Sequence, residues 1–145
     1  MDHVVHTACI LDSSTTKFLA TNLETVGLAA ARVSEHFQGT TNRIVYISSF
    51  ETSFNEVLNA YKKATGMSDW AVEMVDSKQK IKDGGRKLRL GNLEGMEKVA
   101  RAVLIQEGSG QDLDAEGLLE NELLSLTRGN VDETVARVLK GSVDL

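Results

Sequence analysis

A short apolar run followed directly by a capped amphipathic helix is the feature that most limits how this chain can fold. Residues 44–47, Ile-Val-Tyr-Ile, are uninterrupted apolar side chains, mostly β-branched, which is typical of a strand buried on both faces. In the helix after it, Ser53 and Glu56 have the spacing of a capping box, and Gly66 is expected to end the helix. A strand, turn and helix in this order predict an α/β fold, in which ligands bind at the carboxyl ends of strands.

The length and composition predict one soluble globular domain spanning residues 1–145. A chain of 145 residues buries roughly two-thirds of the surface that its unfolded form exposes. Its single cysteine, Cys9, cannot form an internal disulfide. The sequence has no apolar run of the ~20 residues that a membrane-spanning helix needs, and its first residues lack the basic start of a signal peptide. We therefore expect a cytoplasmic protein.

The charge pattern disfavours two classes of partner. The formal net charge is -5 at pH 7, whereas binding to phosphate groups needs a basic field. Basic residues are clustered between Lys78 and Arg89, but acidic segments flank them, so we do not read them as a compensating patch. Neither nucleic acid nor an anionic membrane is expected as the main partner.

Three further segments of the first half have strand or helix patterns. Residues 3–11 are apolar and could be a strand or a helix; we favour a strand or, together with the rest of residues 1–15, an extended N-terminal arm. Residues 17–20 are a short strand candidate. Thr21 and Glu24 have capping-box spacing at the start of an amphipathic helix. Residues 70–75 alternate, as expected for a strand near a sheet edge.

The second half is predicted to be helical. Ser77 is expected to cap a helix that bends or breaks at Gly84-Gly85. A stronger helix, with an apolar stripe that includes Met96, Val103 and Leu104, is expected to run from Asn92 to Gly108. Two more helices are predicted over residues 115–126 and 131–139, the last of them capped by Asn130 with Glu133. The fold class is therefore α/β, with a small sheet of about three strands and several helices.

The order and spacing of these segments resemble a known family. The pattern at residues 21–31, the run Asn-Arg-Ile-Val-Tyr-Ile-Ser-Ser-Phe at residues 42–50 and the helix beginning Ser-Phe-Asn-Glu at residue 53 are similar to the C-terminal part of NmrA-like proteins. These belong to the isoflavone-reductase-like branch of the atypical short-chain dehydrogenases, which are common in fungal metabolism. The resemblance covers about residues 17–140 and implies the substrate-side half of a Rossmann-type reductase.

The cofactor-binding motif of that family is missing from this sequence. No Gly-rich phosphate loop of the form G-x-G-x-x-G or G-x-x-G-x-x-G occurs, and the nearest motif, Gly108-Ser109-Gly110, follows a predicted helix instead of a strand. We therefore predict no cofactor, and hydride transfer from NAD(P)H by this chain alone is disfavoured.

The turn after the predicted central strand is the first candidate for substrate binding. Ser48, Ser49 and Phe50 stand at the strand end where a ligand would lie, and the resemblance also implies a pocket near this turn. The alternative is a turn whose hydroxyl groups satisfy local backbone groups.

The predicted strand at residues 70–75 supplies the second group of candidates. Trp70 and Met74 are candidate substrate contacts, and Glu73 and Asp76 are candidate proton-transfer groups, because a carboxyl beside an aromatic ring in an apolar pocket can have a raised pKa. Tyr46 is a third candidate acid, although it also fits a core position. The alternative for Glu73 is a carboxylate that faces water on an edge strand.

A metal site is not expected. His3, His6 and Cys9 would share one face of a helix, but in a strand the two histidines point to opposite faces, and no carboxylate stands at ligand spacing.

These observations leave three functional hypotheses. The first is a truncated NmrA-like enzyme of fungal secondary metabolism that binds a small organic substrate and catalyses a non-redox cyclisation or isomerisation. The second is a binding or regulatory module without turnover, and the third is the substrate-side half of an NAD(P)H-dependent reductase. We also expect a homodimer, because so small a sheet leaves an open edge that a second copy can cover, with residues 3–11 crossing between the copies.

Overall fold

Four short strands and six helices make up the part of the chain that the computed structural model describes, residues 1–13, 15–105 and 113–141. In chain order they are β1 Thr7–Leu11, β2 Lys17–Ala20, α1 Leu23–Glu35, α2 Phe37–Thr40, β3 Phe50–Ser53, α3 Phe54–Thr65, β4 Ala71–Val75, α4 Ser77–Arg89, α5 Glu94–Ile105 and α6 Val131–Leu139. The predicted α/β class is confirmed. None of the described helices is long and apolar enough to cross a membrane.

The strands form two separate pairs. β1 and β4 are parallel, with Thr7 opposite Ala71, whereas β2 and β3 are antiparallel, with Lys17 opposite Ser53. The segment that we expected to be a strand or an arm is thus strand β1, and its partner is β4 of the same chain. The segment therefore has a partner within its own chain, which removes the reason for expecting it to cross to a second copy.

Two apolar clusters hold these elements together. Ala8, Ile10, Leu58 and Trp70 form the first, in which α3 packs against β1 of the parallel pair. The second cluster packs α1 against the segment that precedes α6, and its buried residues are Ala29, Leu124 and Leu126. Helix α3 therefore lies against β1 on one side and α6 on another.

Helix α3 has the boundaries and cap that the sequence predicts. The Ser53 hydroxyl accepts a hydrogen bond from the Glu56 amide, and the Glu56 carboxylate accepts one from the Ser53 amide. Gly66 ends the helix in the left-handed region, with φ of 71°. The Lys17 ammonium lies 2.5 Å from Glu56 Oε1, and this hydrogen bond lowers the pKa of the carboxyl.

The run at residues 44–47 is not the buried central strand that we predicted. Ile44 is 70% exposed and Tyr46 is 38% exposed, and the strand begins later, at Phe50. Within the described residues, the segment pairs by a single parallel bridge, between Tyr46 and Leu119, and the Glu120 amide donates to Tyr46 O at 2.9 Å. A strand needs a neighbour on each side and a layer on each face to be fully buried, and residues 119–121 cover this segment along one edge only.

The N-cap residue of helix α1 lies one position later than predicted. Asn22 is the N-cap residue and makes no side-chain capping bond, so the predicted capping box of Thr21 and Glu24 is wrong. The Thr21 hydroxyl instead donates to Ile47 O at 3.4 Å. The buried residue of this helix is the small Ala29, whereas the larger Val26 is exposed.

Strand β4 confirms the predicted strand, although two of its apolar side chains are exposed. Trp70, just before the strand, is buried, but Val72 and Met74 are exposed. In the parallel pair they lie beside Ala8 and Ile10 of β1, which are buried in the cluster with α3. The helix covers β1 and leaves the same face of β4 open.

Helix α4 differs from its prediction at both its start and its middle. Asp76, and not Ser77, is the N-cap residue, and the helix continues through Gly84-Gly85 without a break. Gly84 is required by a close approach to α5, because a Cβ atom built there would lie 2.7 Å from Val99 Cγ2 and 2.9 Å from Gly95 O. Gly84 therefore allows the two helices to touch, which offsets its low helix propensity.

The remaining helical predictions have mixed outcomes. Helix α5 begins at Glu94, whose amide donates a hydrogen bond to Asn92 Oδ1 at 2.9 Å. Met96 and Val103 of the predicted stripe are exposed, while Ala102 is buried. The Leu104 side chain and the predicted helix end at Gly108 lie outside the described residues. Residues 115–126 form turns and one bridge instead of a helix, whereas α6 and its Asn130 cap, which accepts from the Glu133 amide, are confirmed.

The two neighbouring glycines of α4 provide a test of this helix contact. Gly84→Ala is expected to destabilise the protein, because the new methyl group would collide with α5. Gly85→Ala is the matched control: its Cβ meets nothing within 4 Å, and alanine should stabilise the helix by about 0.5–1 kcal/mol. Urea unfolding measures both changes, and equal stabilisation by the two alanines would contradict the close approach.

Candidate functional site

A cleft of about 540 Å³ lies between the start of α1, residues 126–129 and α6. Polar groups of Asn22, Thr25 and Ser49 line its inner wall. Charged side chains of both signs also line it, from Glu24, Arg128, Glu133, Arg137 and Lys140. Its volume falls within the range of roughly 300–1,000 Å³ that is usual for small-molecule sites.

Ser49, one of the predicted binding residues, forms part of this cleft and is almost fully buried. Its hydroxyl donates to Thr25 Oγ1 at 2.7 Å and accepts a hydrogen bond from the Asn22 amide at 3.0 Å. Its backbone amide donates to Ala20 O, and its carbonyl accepts from the Gly129 amide, both at 2.9 Å. These bonds fix the cleft wall, so Ser49 has a positional role in addition to its place in the lining.

Ser48 is held from the other side by a buried asparagine. Asn121 Oδ1 accepts a hydrogen bond from the Ser48 amide at 3.1 Å, and Asn121 Nδ2 donates to Ser48 O at 2.7 Å. The amide side chain thereby imitates a neighbouring strand at a position where the backbone ladder is missing. The Ser48 hydroxyl is buried and has no hydrogen-bond partner among the described residues.

An ion pair ties α6 to the first turn of α1 beside the cleft. Arg137 Nη1 lies 2.5 Å from Glu24 Oε2, and deeper in, Asn22 Nδ2 donates to Thr134 Oγ1 at 3.1 Å. Both side chains of the ion pair are largely exposed, so the pair contributes little to stability. A ligand with its own carboxylate or phenolate can therefore replace Glu24 as the partner of Arg137 at low cost.

A second ion pair orients Arg128 along the same cleft. Arg128 Nη1 donates to Asp114 Oδ2 at 2.7 Å. This hydrogen bond raises the pKa of Arg128 and lowers the pKa of Asp114. Both shifts favour the charged forms of the pair.

The predicted proton-transfer residues lie elsewhere and have other contacts. The Asp76 carboxylate accepts hydrogen bonds from the Lys78 and Gln79 amides at 2.7 and 3.2 Å, so it caps α4. Glu73 of β4 lies opposite Cys9 and is exposed, which agrees with the alternative of a carboxylate that faces water. Tyr46 is partly exposed and lies beside Leu119.

The two predicted groups of binding residues belong to different strand pairs. Phe50 is in β3, directly after Ser48 and Ser49, and Met74 is in β4. Trp70 packs in the cluster with Ile10 and Leu58. The two groups thus lie on the two separate sheets, the antiparallel pair and the parallel pair.

Sequence reasoning missed the residues of α1 and α6 that complete the cleft. Asn22 and Thr25 precede and begin an amphipathic helix, and Arg137 and Lys140 stand at the end of another, where basic residues are favoured by the helix dipole alone. No local pattern distinguishes these roles. The signal that was available is the predicted strand-end turn, which is where Ser49 stands.

The N-terminal histidines contribute to packing. The His6 ring centroid lies 5.5 Å from that of Trp70, and His3 stacks on Tyr61 at 6.4 Å. Among the described residues, no three His, Cys, Asp or Glu side chains are grouped so that they could hold a metal ion.

Comparison with known proteins identifies two fungal relatives. The chain is 37% identical over 135 residues to the oxidoreductase aprR of Aspergillus flavus, an alignment that covers 92% of this chain and 45% of that protein. It is 32% identical over 135 residues to the oxidoreductase poxI of Penicillium oxalicum, covering 92% of this chain and 43% of the relative. The chain thus spans less than half the length of these curated relatives. No protein-family profile matches the chain, and no solved structure matches it.

The buried contact between Asn121 and Ser48 can be tested by truncation. Asn121→Ala leaves both the amide and the carbonyl of Ser48 without a partner, which should destabilise the protein by roughly 2–6 kcal/mol, since each unsatisfied buried group costs about 1–3 kcal/mol. The neighbouring exposed residue provides the control, because Glu122→Ala should change stability by less than about 0.5 kcal/mol. Urea unfolding curves that coincide for the two variants would show that the contact is not needed.

Proposed function

We propose that this chain is the substrate-side part of an NmrA-like, isoflavone-reductase-like oxidoreductase of fungal secondary metabolism. Its task is to bind a small organic substrate in the cleft between α1, residues 126–129 and α6. The observation that supports this most directly is the similarity of nearly the whole chain to one continuous portion of two fungal proteins that are themselves named oxidoreductases.

The features of the cleft agree with a polar organic ligand. The cleft has a suitable volume and a rigid inner wall around Ser49, and at its rim Arg137 is held by an exposed ion pair that a ligand can displace. Leu28 adds an apolar contact to the lining. A compound with a ring system and a carboxylate or phenolate has groups for each of these surfaces.

Two reaction types follow, and they differ in where the cofactor is held. If the reaction is redox, the dinucleotide must be held by a Gly-rich loop that is not in this sequence, and the chain then supplies substrate binding only. A second candidate is a cofactor-independent cyclisation or isomerisation, favoured by the carboxylates and cations that line one cleft, Glu24 and Glu133 with Arg137 and Lys140.

Filling the cleft tests whether it is the binding site. The protein is incubated with an organic extract of Aspergillus flavus cultures, and the compounds retained after gel filtration are identified by mass spectrometry. Leu28→Trp places a large ring in the cleft and should lower the retained amount at least about tenfold, equivalent to ~1.4 kcal/mol of binding free energy.

Leu23→Trp is the matched control for this experiment. Leu23 is an exposed leucine of the same helix and is not among the cleft-lining residues, so retention should equal that of the parent. Equal retention by both variants would move the binding site away from this cleft.

Cofactor binding separates the two reaction types. Because the phosphate loop is missing, titration calorimetry with NADPH up to about 100 µM should give no saturable heat, whereas a dissociation constant near 1 µM corresponds to about -8.2 kcal/mol. A low-micromolar dissociation constant would contradict this expectation and assign the redox step to this chain.

A further inference from the structure

Helix α4 has an outward face made almost entirely of cations. Lys78, Lys82, Arg86 and Arg89 are all exposed, and at 3.6 residues per turn they occupy an arc of roughly 80° around the helix axis. The opposite side of the helix contains the buried or half-buried residues Ser77, Ile81, Gly84 and Leu88. We refer to the four exposed cations as the basic stripe.

The basic residues of α4 outside the stripe are engaged within the chain. Lys87 lies 3.2 Å from Glu94 Oε2, and Lys80 Nζ lies 3.4 Å from Cys9 Sγ. In the stripe itself, the described contact is a weak one, from Arg86 to Asp83 at 4.0 Å. The cations of the stripe therefore have charge available for an external partner.

Two exposed leucines stand at the end of the stripe. Leu90 is 80% exposed and continues the i, i+4 spacing of Lys82 and Arg86, and Leu93, 75% exposed, follows in the turn between α4 and α5. Gly91 makes this turn in the left-handed region, with φ of 76°. The hairpin tip thus presents two apolar side chains next to a row of positive charge.

We propose that the basic stripe and the leucine tip bind peripherally to an anionic membrane surface. Lysine and arginine near such a surface are attracted by its negative potential, and apolar side chains on the same element enter the boundary between headgroups and acyl chains. A lipid surface accounts for both halves of the feature, whereas the phosphate backbone of a nucleic acid would use the cations and leave the leucines exposed.

The charge of α4 is opposite in sign to the net charge of the chain, so the net charge does not predict which partner this surface attracts. Helix α4 contains six basic residues and one acidic residue, Asp83, in a chain whose formal net charge is -5. Charges separated by more than about 8 Å are largely screened at physiological ionic strength, so a membrane that lies along this face of α4 experiences mainly the stripe and not the charge of the whole chain.

Vesicle sedimentation tests the proposal directly. The protein is mixed with 100 nm vesicles of phosphatidylcholine alone or with about 30% phosphatidylserine, since anionic lipid attracts basic residues by about 1 kcal/mol each. The expected result is binding to the vesicles that contain phosphatidylserine in low salt and release in about 0.5 M NaCl, as screening shortens the range of the attraction. No sedimentation with these vesicles in low salt would overturn the proposal.

Two pairs of matched variants locate the contact. The double variant Lys82→Gln with Arg86→Gln should weaken binding about thirtyfold, because each lost cation costs about 1 kcal/mol. The control, Lys62→Gln with Lys63→Gln, makes the same change of charge on α3 and should have little effect. Leu90→Ser with Leu93→Ser should also weaken binding, and Ile44→Ser, at another exposed apolar residue, should not.

Other outcomes would assign the surface differently. Equal losses from the α3 and α4 charge variants would show a diffuse electrostatic effect and overturn the membrane contact. Binding to duplex DNA in fluorescence anisotropy that matches vesicle binding in strength and is unchanged by the leucine variants would identify a general polyanion surface instead. Circular dichroism of each variant confirms that the fold is retained, because all substituted positions on α4 and in the turn are exposed.

Discussion

The hydrogen bonds around Ser48 and Ser49 are the interaction on which the rest of this structure depends. Two adjacent residues connect β2 through Ala20, the start of α1 through Asn22 and Thr25, residue 121 through its side chain, and residue 129 through its backbone. Both serines are buried, so each bond is made in a low-dielectric setting where an unpaired polar group is costly. The cleft exists because these bonds hold α1 and residues 126–129 at a fixed separation.

The elements that were predicted correctly are those whose signals are local. The capping box at Ser53, the left-handed Gly66 and the Asn130 cap all involve bonds between residues a few positions apart. The prediction failed where the outcome depends on distant residues. Residues 44–47 have the composition of a buried strand, but their burial depends on neighbours, and Ile44 is exposed because residues 119–121 adjoin one edge only. The sequence of α4 alone indicates a break at Gly84-Gly85, because the close contact with Gly95 of α5 depends on how the two helices pack.

The same distinction applies to the candidate site. The strand-end rule led to Ser49, because a turn after an apolar run is visible in the sequence. A carboxylate before a helix can serve in proton transfer or cap the helix, and the bonds of Asp76 to the Lys78 and Gln79 amides show that it caps α4. Arg137 and Glu24 are 113 positions apart, so their pairing across the cleft depends on the packing of α6 and has no signal in the sequence.

The cleft and the basic stripe also show how one chain can combine two unlike surfaces. In the cleft, cations are paired with carboxylates of the same chain, Arg137 with Glu24 and Arg128 with Asp114, so a ligand has to compete with an existing partner and is selected for its shape as well as its charge. On α4 the exposed cations lack comparably close partners among the described residues, and their attraction depends on charge density more than on shape. A small molecule with one anionic group suits the first arrangement, and an extended anionic surface suits the second. The two sites therefore respond differently to salt: binding at the hairpin should weaken steeply as ions screen it, while binding in the cleft, where buried hydroxyl groups and Leu28 add contacts independent of charge, should weaken much less.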